Sequence, residues 1–122
     1  MTKPFHLGDV LSITTGKLVS PRLMQGVYEI LSFMTGDSIF THQIGRAMKA
    51  CVPALIKQHP QLATIVAPEL DEWTCRTWLA EQVEEFGETL EVAPLDTNEW
   101  THIDPIIEAE SMFPDKVIIA KV

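Results

Sequence analysis

An apolar stripe between residues 23 and 34 constrains the fold of this chain more than any other feature. Ser20 is a good helix N-cap, and Pro21 suits the first helical position, where its missing N–H has no intrahelical partner to lose. Gly36 suits the end of the helix. We therefore predict one amphipathic helix here, with a buried face that recurs at helical spacing: Leu23, Val27, Ile30, Leu31 and Met34.

Two further helices are predicted from similar patterns. One begins near Thr41, a candidate N-cap, and ends at His59, because the residue before a proline avoids helical angles. Pro53 lies inside it, so the pattern leaves open whether this helix kinks or a second short helix starts there. Another helix runs between Asp71 as N-cap and Gly87, with an inner face of apolar residues: Trp73, Cys75, Trp78, Leu79, Val83 and Phe86.

The remaining segments near the two ends of the chain are less regular. Residues 7–15 predict a short helix closed by Gly16, with a strand as the competing interpretation. Residues 104–112 predict another short helix, opened by an Asp-Pro pair. Alternation over 90–92 and the β-branched run over 116–122 predict two strands.

Together these elements predict an α+β fold that is mostly helical. It consists of about four to five helices packed with a small two-stranded C-terminal sheet. A length of 122 residues is enough for one core, so we predict a single domain over 1–122. Its helical N-terminal part spans about 5–60, and its acidic α+β part spans about 69–122.

Charge is divided unevenly along the chain. Residues 1–60 carry six Lys/Arg and three Asp/Glu, whereas residues 61–122 carry three Lys/Arg and fourteen Asp/Glu, for a formal net charge of −8. Such asymmetry concerns partners rather than fold. Direct binding of nucleic acid is not expected, because affinity for phosphate comes from Lys and Arg.

Other patterns argue against several classes of protein. Two Cys and four His without paired spacing predict no disulfide framework, no metal site and no cofactor. No apolar run is long enough for a membrane span, and no apolar segment opens the chain, so we predict a cytoplasmic protein with no membrane partner. There is no phosphate-loop spacing and no recognisable nucleophile motif, which favours a protein that is not an enzyme.

An acidic face is the first candidate site. Glu81, Glu84, Glu85 and Glu88 are spaced i, i+3, i+4 and i+7, so a helix places them on one face, and Glu91 follows. This face is interpreted either as solvated surface or as a DNA-mimic-like surface for a basic protein. Among the tryptophans, Trp100 is predicted to be the exposed anchor of that interface, because it lies in a loop-like stretch.

A polar cluster is the second candidate site. It joins a Gly-Asp turn to the start of the third helix, and its members are Asp37, Thr41, His42, Gln43 and Arg46. An aspartate and a histidine there predict an acid–base pair in a small enzyme pocket. The alternative is a capped junction between two helices with a hydrogen-bonded histidine.

Three stretches of the chain resemble an uncharacterised family of small phage-encoded proteins. They are FHLGDVLSITTG at 5–16, MTGDSIFTHQ at 34–43, and the ending around 104–118 with PDKVI. The resemblance implies an origin in a bacteriophage or prophage and a place of action in the host bacterial cytoplasm. It implies no mechanism and no catalytic residues.

The leading hypothesis is a phage accessory protein that binds and blocks a host protein. The best guess is that the protein is an anti-CRISPR or anti-defence inhibitor, whose acidic face binds a nucleic-acid-binding defence complex or nuclease. Analogy in size, charge and origin supports this form. One alternative is the small enzyme with a pocket near Asp37 and His42. The other is a self-associating structural or replication accessory, in which the basic half of one copy meets the acidic half of the next.

Overall fold

The computed structural model describes residues 1–112 and shows an α+β fold that is mostly helical, as predicted. Five α-helices and a two-stranded sheet make up the described part of the chain, with two short 3-10 helices between them. The elements in chain order are β1 Lys3–His6, α1 Leu7–Thr15, α2 Met24–Thr35, a 3-10 helix Thr41–Gln43, α3 Ile44–Gln58, a 3-10 helix Pro60–Thr64, α4 Glu72–Phe86, β2 Thr89–Val92 and α5 Pro105–Met112.

The sheet pairs β1 with β2 and is therefore not C-terminal. The strands are antiparallel, with Phe5 opposite Leu90 and Lys3 opposite Val92. The sequence indicated the second of these strands but not the first, because a four-residue strand that contains a proline has little local signal. Phe5 and Val92 are buried, so burial in the core sets the register. The predicted strand over 116–122 lies outside the described residues.

Helix α1 lies at the centre of the molecule, which decides between the two interpretations of this segment in favour of a helix. Its first seven residues, from Leu7 to Ile13, are all buried. It contacts α2, α3, α4 and both strands. Gly16 ends it in the left-handed conformation at φ 73°, which glycine adopts without steric cost.

Helix α2 starts later than predicted. It begins at Met24, because Leu23 has φ 56° and ψ −139°, outside the helical region. Ser20 therefore caps only the turn before the helix: its hydroxyl accepts from the Arg22 N–H at 3.1 Å and donates to Asp9. Leu23 precedes the helix and is 65% exposed, so its predicted place in the core was wrong. The rest of the stripe is buried as predicted: Val27, Ile30, Leu31 and Met34.

Helix α3 is one continuous helix that contains Pro53, so no second helix starts at this proline. Pro53 is exposed to solvent. Thr41 is not an N-cap, because a 3-10 turn precedes the helix and Gln43 bonds back to the Phe40 N–H at 3.0 Å. The helix ends at His59, as the following proline predicted.

Helix α4 lies at the edge of the fold. Asp71 caps it as predicted, accepting from the backbone N–H groups of Trp73 and Thr74. Its apolar stripe is only half-buried, and Trp73 is 81% exposed, so the predicted core position of Trp73 was wrong. Among residues 1–112 no helix is long and apolar enough to cross a membrane.

Candidate functional site

The acidic face forms on α4, with one change from the prediction. Glu81, Glu84 and Glu85 are exposed on the helix, away from its half-buried stripe. Glu88 lies beyond the helix, because Gly87 turns the chain at φ 98°. The predicted acidic face therefore included a glutamate two residues past the end of the helix, where helical spacing no longer applies. We use the name acidic face for the three helical glutamates.

Glu88 and Glu91 lie on the segment that leads from α4 into the sheet. Both are exposed, and Glu91 on β2 accepts a hydrogen bond from the Thr2 hydroxyl at 2.9 Å. The carbonyl of Glu88 accepts from the Leu7 N–H at 2.7 Å, which ties this segment to the start of α1. These two glutamates thus extend the negative surface beyond the helix.

Trp100 is half-buried and belongs to the polar cluster, so it is not the exposed anchor that was predicted from the sequence. Its indole N–H donates to Asp37 at 2.7 Å, because a half-buried indole needs an acceptor. The Arg46 guanidinium lies 4.0 Å from the centre of its ring, a cation–π contact. Trp73 is the tryptophan that the fold leaves exposed.

The predicted members of the polar cluster come together, and the segment over 100–108 packs on them. His42 Nε2 lies 2.9 Å from the Pro105 carbonyl and must donate to it, since a carbonyl only accepts. The Thr41 hydroxyl bonds with the Tyr28 hydroxyl at 2.7 Å. Asp37 and His42 do not pair with each other, because each is bonded to the C-terminal segment instead.

The strongest contact in this cluster joins α3 to α5. Arg46 binds both oxygens of Glu108, at 3.0 and 2.7 Å, and also donates to the Thr101 carbonyl at 2.9 Å. Gln43 donates to the same carboxylate at 3.0 Å. Glu108 is only 7% exposed, so these bonds replace the water that its charge has lost. These hydrogen bonds hold residues 100–108 against α3, and they occupy the polar groups of Gln43 and Arg46.

Two carboxyl groups of the cluster have lowered pKa values. The Trp100 N–H, followed by His102, lowers the pKa of Asp37 below its ordinary value of 3.8. Arg46, followed by Gln43, lowers the pKa of Glu108 below 4.5. Partial burial opposes both effects, because it disfavours the charged form.

We expect acidification to weaken the docking of residues 100–108. Both carboxyls bind protons more weakly when folded, so their stabilisation is complete above the unfolded pKa values of 3.8 and 4.5. It is lost as the pH falls through their lower folded values. Thermal unfolding across an acid pH series measures this, and Asp37→Asn with Glu108→Gln should flatten the dependence. An unchanged dependence in that double variant would show that other carboxyls control acid unfolding.

A polar network around a buried aspartate, between α1 and α2, was not predicted from the sequence. We call it the Asp9 network; its side chains are Asp9, Ser12, Ser20, Arg22 and Glu29. Asp9 is fully buried, accepts from the Ser20 hydroxyl and pairs with Arg22 at 2.6 Å. Arg22 also pairs with Glu29. Ser12 donates to the Gly8 carbonyl and accepts from the N–H groups of Val19 and Ser20.

One local signal could have indicated this network. An aspartate inside a helical run of apolar residues, and Gly26 inside a later helix, are both unfavourable choices for an isolated helix. Gly26 is required because a Cβ there would lie 2.2 Å from Asp9 Oδ1. The network fixes the connection between the two helices, and the sequence could not show which groups Asp9 would meet.

Metal binding has no obvious site in the described part of the chain. No group of three or more His, Cys, Asp or Glu residues within 1–112 is arranged to hold an ion. Cys51 is buried and Cys75 is half-buried, and both are free thiols.

Comparison with known proteins identifies a family for the N-terminal half. The sequence profile of the family described as Domain of unknown function (DUF7736) matches residues 5–65. The match runs from β1 through the second 3-10 helix and includes the whole Asp9 network, but not α4. No curated protein and no solved structure matches the chain.

Proposed function

The chain belongs to the family described as Domain of unknown function (DUF7736), and we propose that it is a non-enzymatic protein that binds a basic surface of a host protein and blocks it. The acidic face on α4 and the exposed Trp73 form the contact surface. The resemblance of residues 5–16 and 34–43 to small phage-encoded proteins supports a bacterial host as the source of that partner.

The observation that carries this proposal is the availability of the charges on α4. Glu81, Glu84 and Glu85 are exposed, and no Lys or Arg nitrogen lies within 4.0 Å of their carboxylates among the described side chains. The two buried acids, Asp9 and Glu108, are in contrast each paired with an arginine. Within residues 1–112 these three carboxylates are therefore not neutralised by a neighbouring Lys or Arg, which leaves them available to a basic partner.

The exposed side chain of Trp73 is a second reason to place the contact surface on α4. A tryptophan that is 81% exposed is costly to leave in water, and tryptophan is among the residues that contribute most to binding at protein interfaces. Trp73 and Glu84 are eleven residues apart, which is close to three helical turns, so they lie along one side of α4. Charge would speed association, and the indole would slow dissociation.

The polar cluster supports binding over catalysis as the function. Asp37, Gln43 and Arg46 are hydrogen-bonded to residues 100–108, so they hold the fold together instead of facing a substrate. A basic partner that handles nucleic acid, such as a defence nuclease, fits the acidic face best, because such proteins present Lys and Arg to phosphates. We include an anti-CRISPR or anti-defence role in this proposal.

Charge reversal tests the proposal directly. The tagged protein is used to capture partners from host lysate at low and high salt, beside a triple variant Glu81→Lys, Glu84→Lys, Glu85→Lys. We expect a stoichiometric partner that elutes with salt and is lost in the triple variant, because steering and pairing by these charges are screened by ions. Mass spectrometry identifies the partner.

A matched control changes the same amount of charge elsewhere. The variant Glu69→Lys, Asp96→Lys, Glu99→Lys alters three exposed acids in loops outside α4. It should keep the partner. Equal loss in both variants would mean that net charge, not the acidic face, drives binding. Recovery of the protein alone as a salt-sensitive multimer would favour self-association instead.

A further inference from the structure

Residues 100–108, which we call the strap, cover a surface that belongs to the family unit, residues 5–65. The residues of the family unit that bond to the strap form what we call the receiving surface: Asp37, His42, Gln43 and Arg46. The strap follows β2 and lies outside the family match. The surface is therefore occupied by a segment that the family unit itself does not supply.

The receiving surface binds two chemical groups of the strap. Asp37 accepts the indole N–H of Trp100 at 2.7 Å, and the Arg46 guanidinium lies 4.0 Å from the centre of the same ring. Eight residues further along, Glu108 accepts from Gln43 at 3.0 Å and from Arg46 at 3.0 and 2.7 Å. An acceptor for an indole and a guanidinium for a carboxylate together select both the groups and their spacing.

The strap is held mainly by these polar contacts. Trp100 packs against the core, but within residues 1–112 no large apolar side chain of α5 does, and Ile106 and Ile107 are 62% and 60% exposed. Water can replace hydrogen bonds and ion pairs when they open, so such a segment is released more easily than one that buries apolar surface. Release exposes little apolar surface other than that of the indole.

The chain before the strap can act as a hinge. Residues 96–99 are all exposed, and the Glu99 N–H closes their turn on the Asp96 carbonyl at 3.0 Å. Just before this turn, the Leu95 N–H donates to the Met34 carbonyl at 2.8 Å and anchors the chain to α2. The strap can therefore leave while β2 stays paired with β1.

We propose that the receiving surface is a peptide-binding site, which the strap occupies until a segment of a partner protein displaces it. That segment presents a tryptophan to Asp37 and, about eight residues later, a glutamate or aspartate to Arg46. This goes beyond the proposed function, because the acidic face on α4 is a separate surface. Another protein fits better than a second copy of this chain, since two copies with a net charge of −8 each repel one another.

Amide hydrogen exchange of the full-length protein tests whether the strap is released in the folded state. We expect the amides of α5 to exchange roughly tenfold faster than those of α1, because the strap opens without unfolding of the core. Equal exchange of α5 and α1 would mean that the strap leaves only when the whole chain unfolds, which would overturn the proposal.

A fluorescent peptide of residues 96–112 is the probe for binding to the full-length protein. Glu108→Gln weakens the strap and leaves the receiving surface unchanged, so this variant should bind the peptide roughly tenfold more tightly than the unmodified protein, in which the strap competes. Glu69→Gln is the matched control, because it removes an exposed acid outside the strap, and it should bind as the unmodified protein does. A peptide with Trp100→Ala should bind the Glu108→Gln protein roughly tenfold more weakly.

A reversal of charge tests whether the carboxylate is recognised. In the Arg46→Glu protein the strap is repelled, and the peptide that carries Glu108→Lys should bind more tightly than the unchanged peptide. A contact that only fills space would show no such reversal.

The remaining outcomes would each contradict the proposal. Equal binding to the unmodified protein and to Glu108→Gln would place the peptide at another site, and no binding to Glu108→Gln would make the strap a permanent part of the fold. No reversal in Arg46→Glu would remove the recognition of the carboxylate. A dimer that forms only when the Arg46→Glu and Glu108→Lys proteins are mixed would assign the surface to a second copy of this chain.

Discussion

Replacing Gly26 by alanine is expected to lower the free energy of unfolding by about 3 kcal/mol, a large effect for one methyl group. A Cβ at this position would lie 2.2 Å from Asp9 Oδ1 and 2.4 Å from Ser20 Oγ. Neither atom is the end of a flexible side chain that can move away, because both are buried and bonded to each other. Urea denaturation measures the loss.

Gly45 offers a matched control for this substitution. It is also a helical glycine, but a Cβ there would meet nothing within 4 Å. Gly45→Ala should therefore stabilise the protein slightly, by about 0.5 kcal/mol, because alanine has the higher helix propensity. Equal effects of the two substitutions would show that the Asp9 network does not restrict the space around Gly26.

Replacing Arg46 by methionine is expected to cost about 2 kcal/mol of stability. The substitution removes two hydrogen bonds to Glu108 and one to the Thr101 carbonyl. It leaves the Glu108 carboxylate buried with Gln43 as its remaining hydrogen-bond donor of those described. Chemical denaturation measures the change, and faster amide hydrogen exchange over residues 105–112 should accompany it, because Arg46 holds α5 on α3.

A double variant separates the loss of a bond from the cost of an unpaired charge. Arg46→Met with Glu108→Leu removes both charges and keeps apolar volume in their place. It should recover much of the stability lost in Arg46→Met, because the buried charge is gone. If the double variant were the less stable by the full sum of its single effects, the two residues would not be coupled.

The helices of this protein could be predicted from the sequence because their signals are local. The stripe Val27, Ile30, Leu31 and Met34, the cap at Asp71 and the stop at Gly36 each depend on residues within a few positions of one another. The start of α2 was predicted three residues too early because Leu23 has φ 56°, so the turn that Ser20 opens does not continue into the helix. Ser20 still accepts from the Arg22 N–H as a cap does, so the local capping signal did not show where the regular helix begins.

The site residues show the same division between local and distant effects. Glu81, Glu84 and Glu85 were placed on one exposed face because helical spacing alone puts them there. Two of the three tryptophans were assigned wrongly, Trp73 to the core and Trp100 to the surface. Trp100 found an acceptor in Asp37, 63 residues away, and Trp73 remained exposed because α4 packs at the edge of the fold.

The sequence by itself determined the helical character of the chain, most of the helix ends and the acidic face, since these follow from spacing and capping over a few residues. Only the tertiary structure decided the pairing of β1 with β2, the Asp9 network, the docking of residues 100–108 on Arg46 and the open cavity between α4 and the connection from α1 to α2. Each of these joins atoms that lie far apart along the chain or are contributed by different elements. The burial of α1 brings the two strands, α2, α3 and α4 together, and burial is a property of the whole fold.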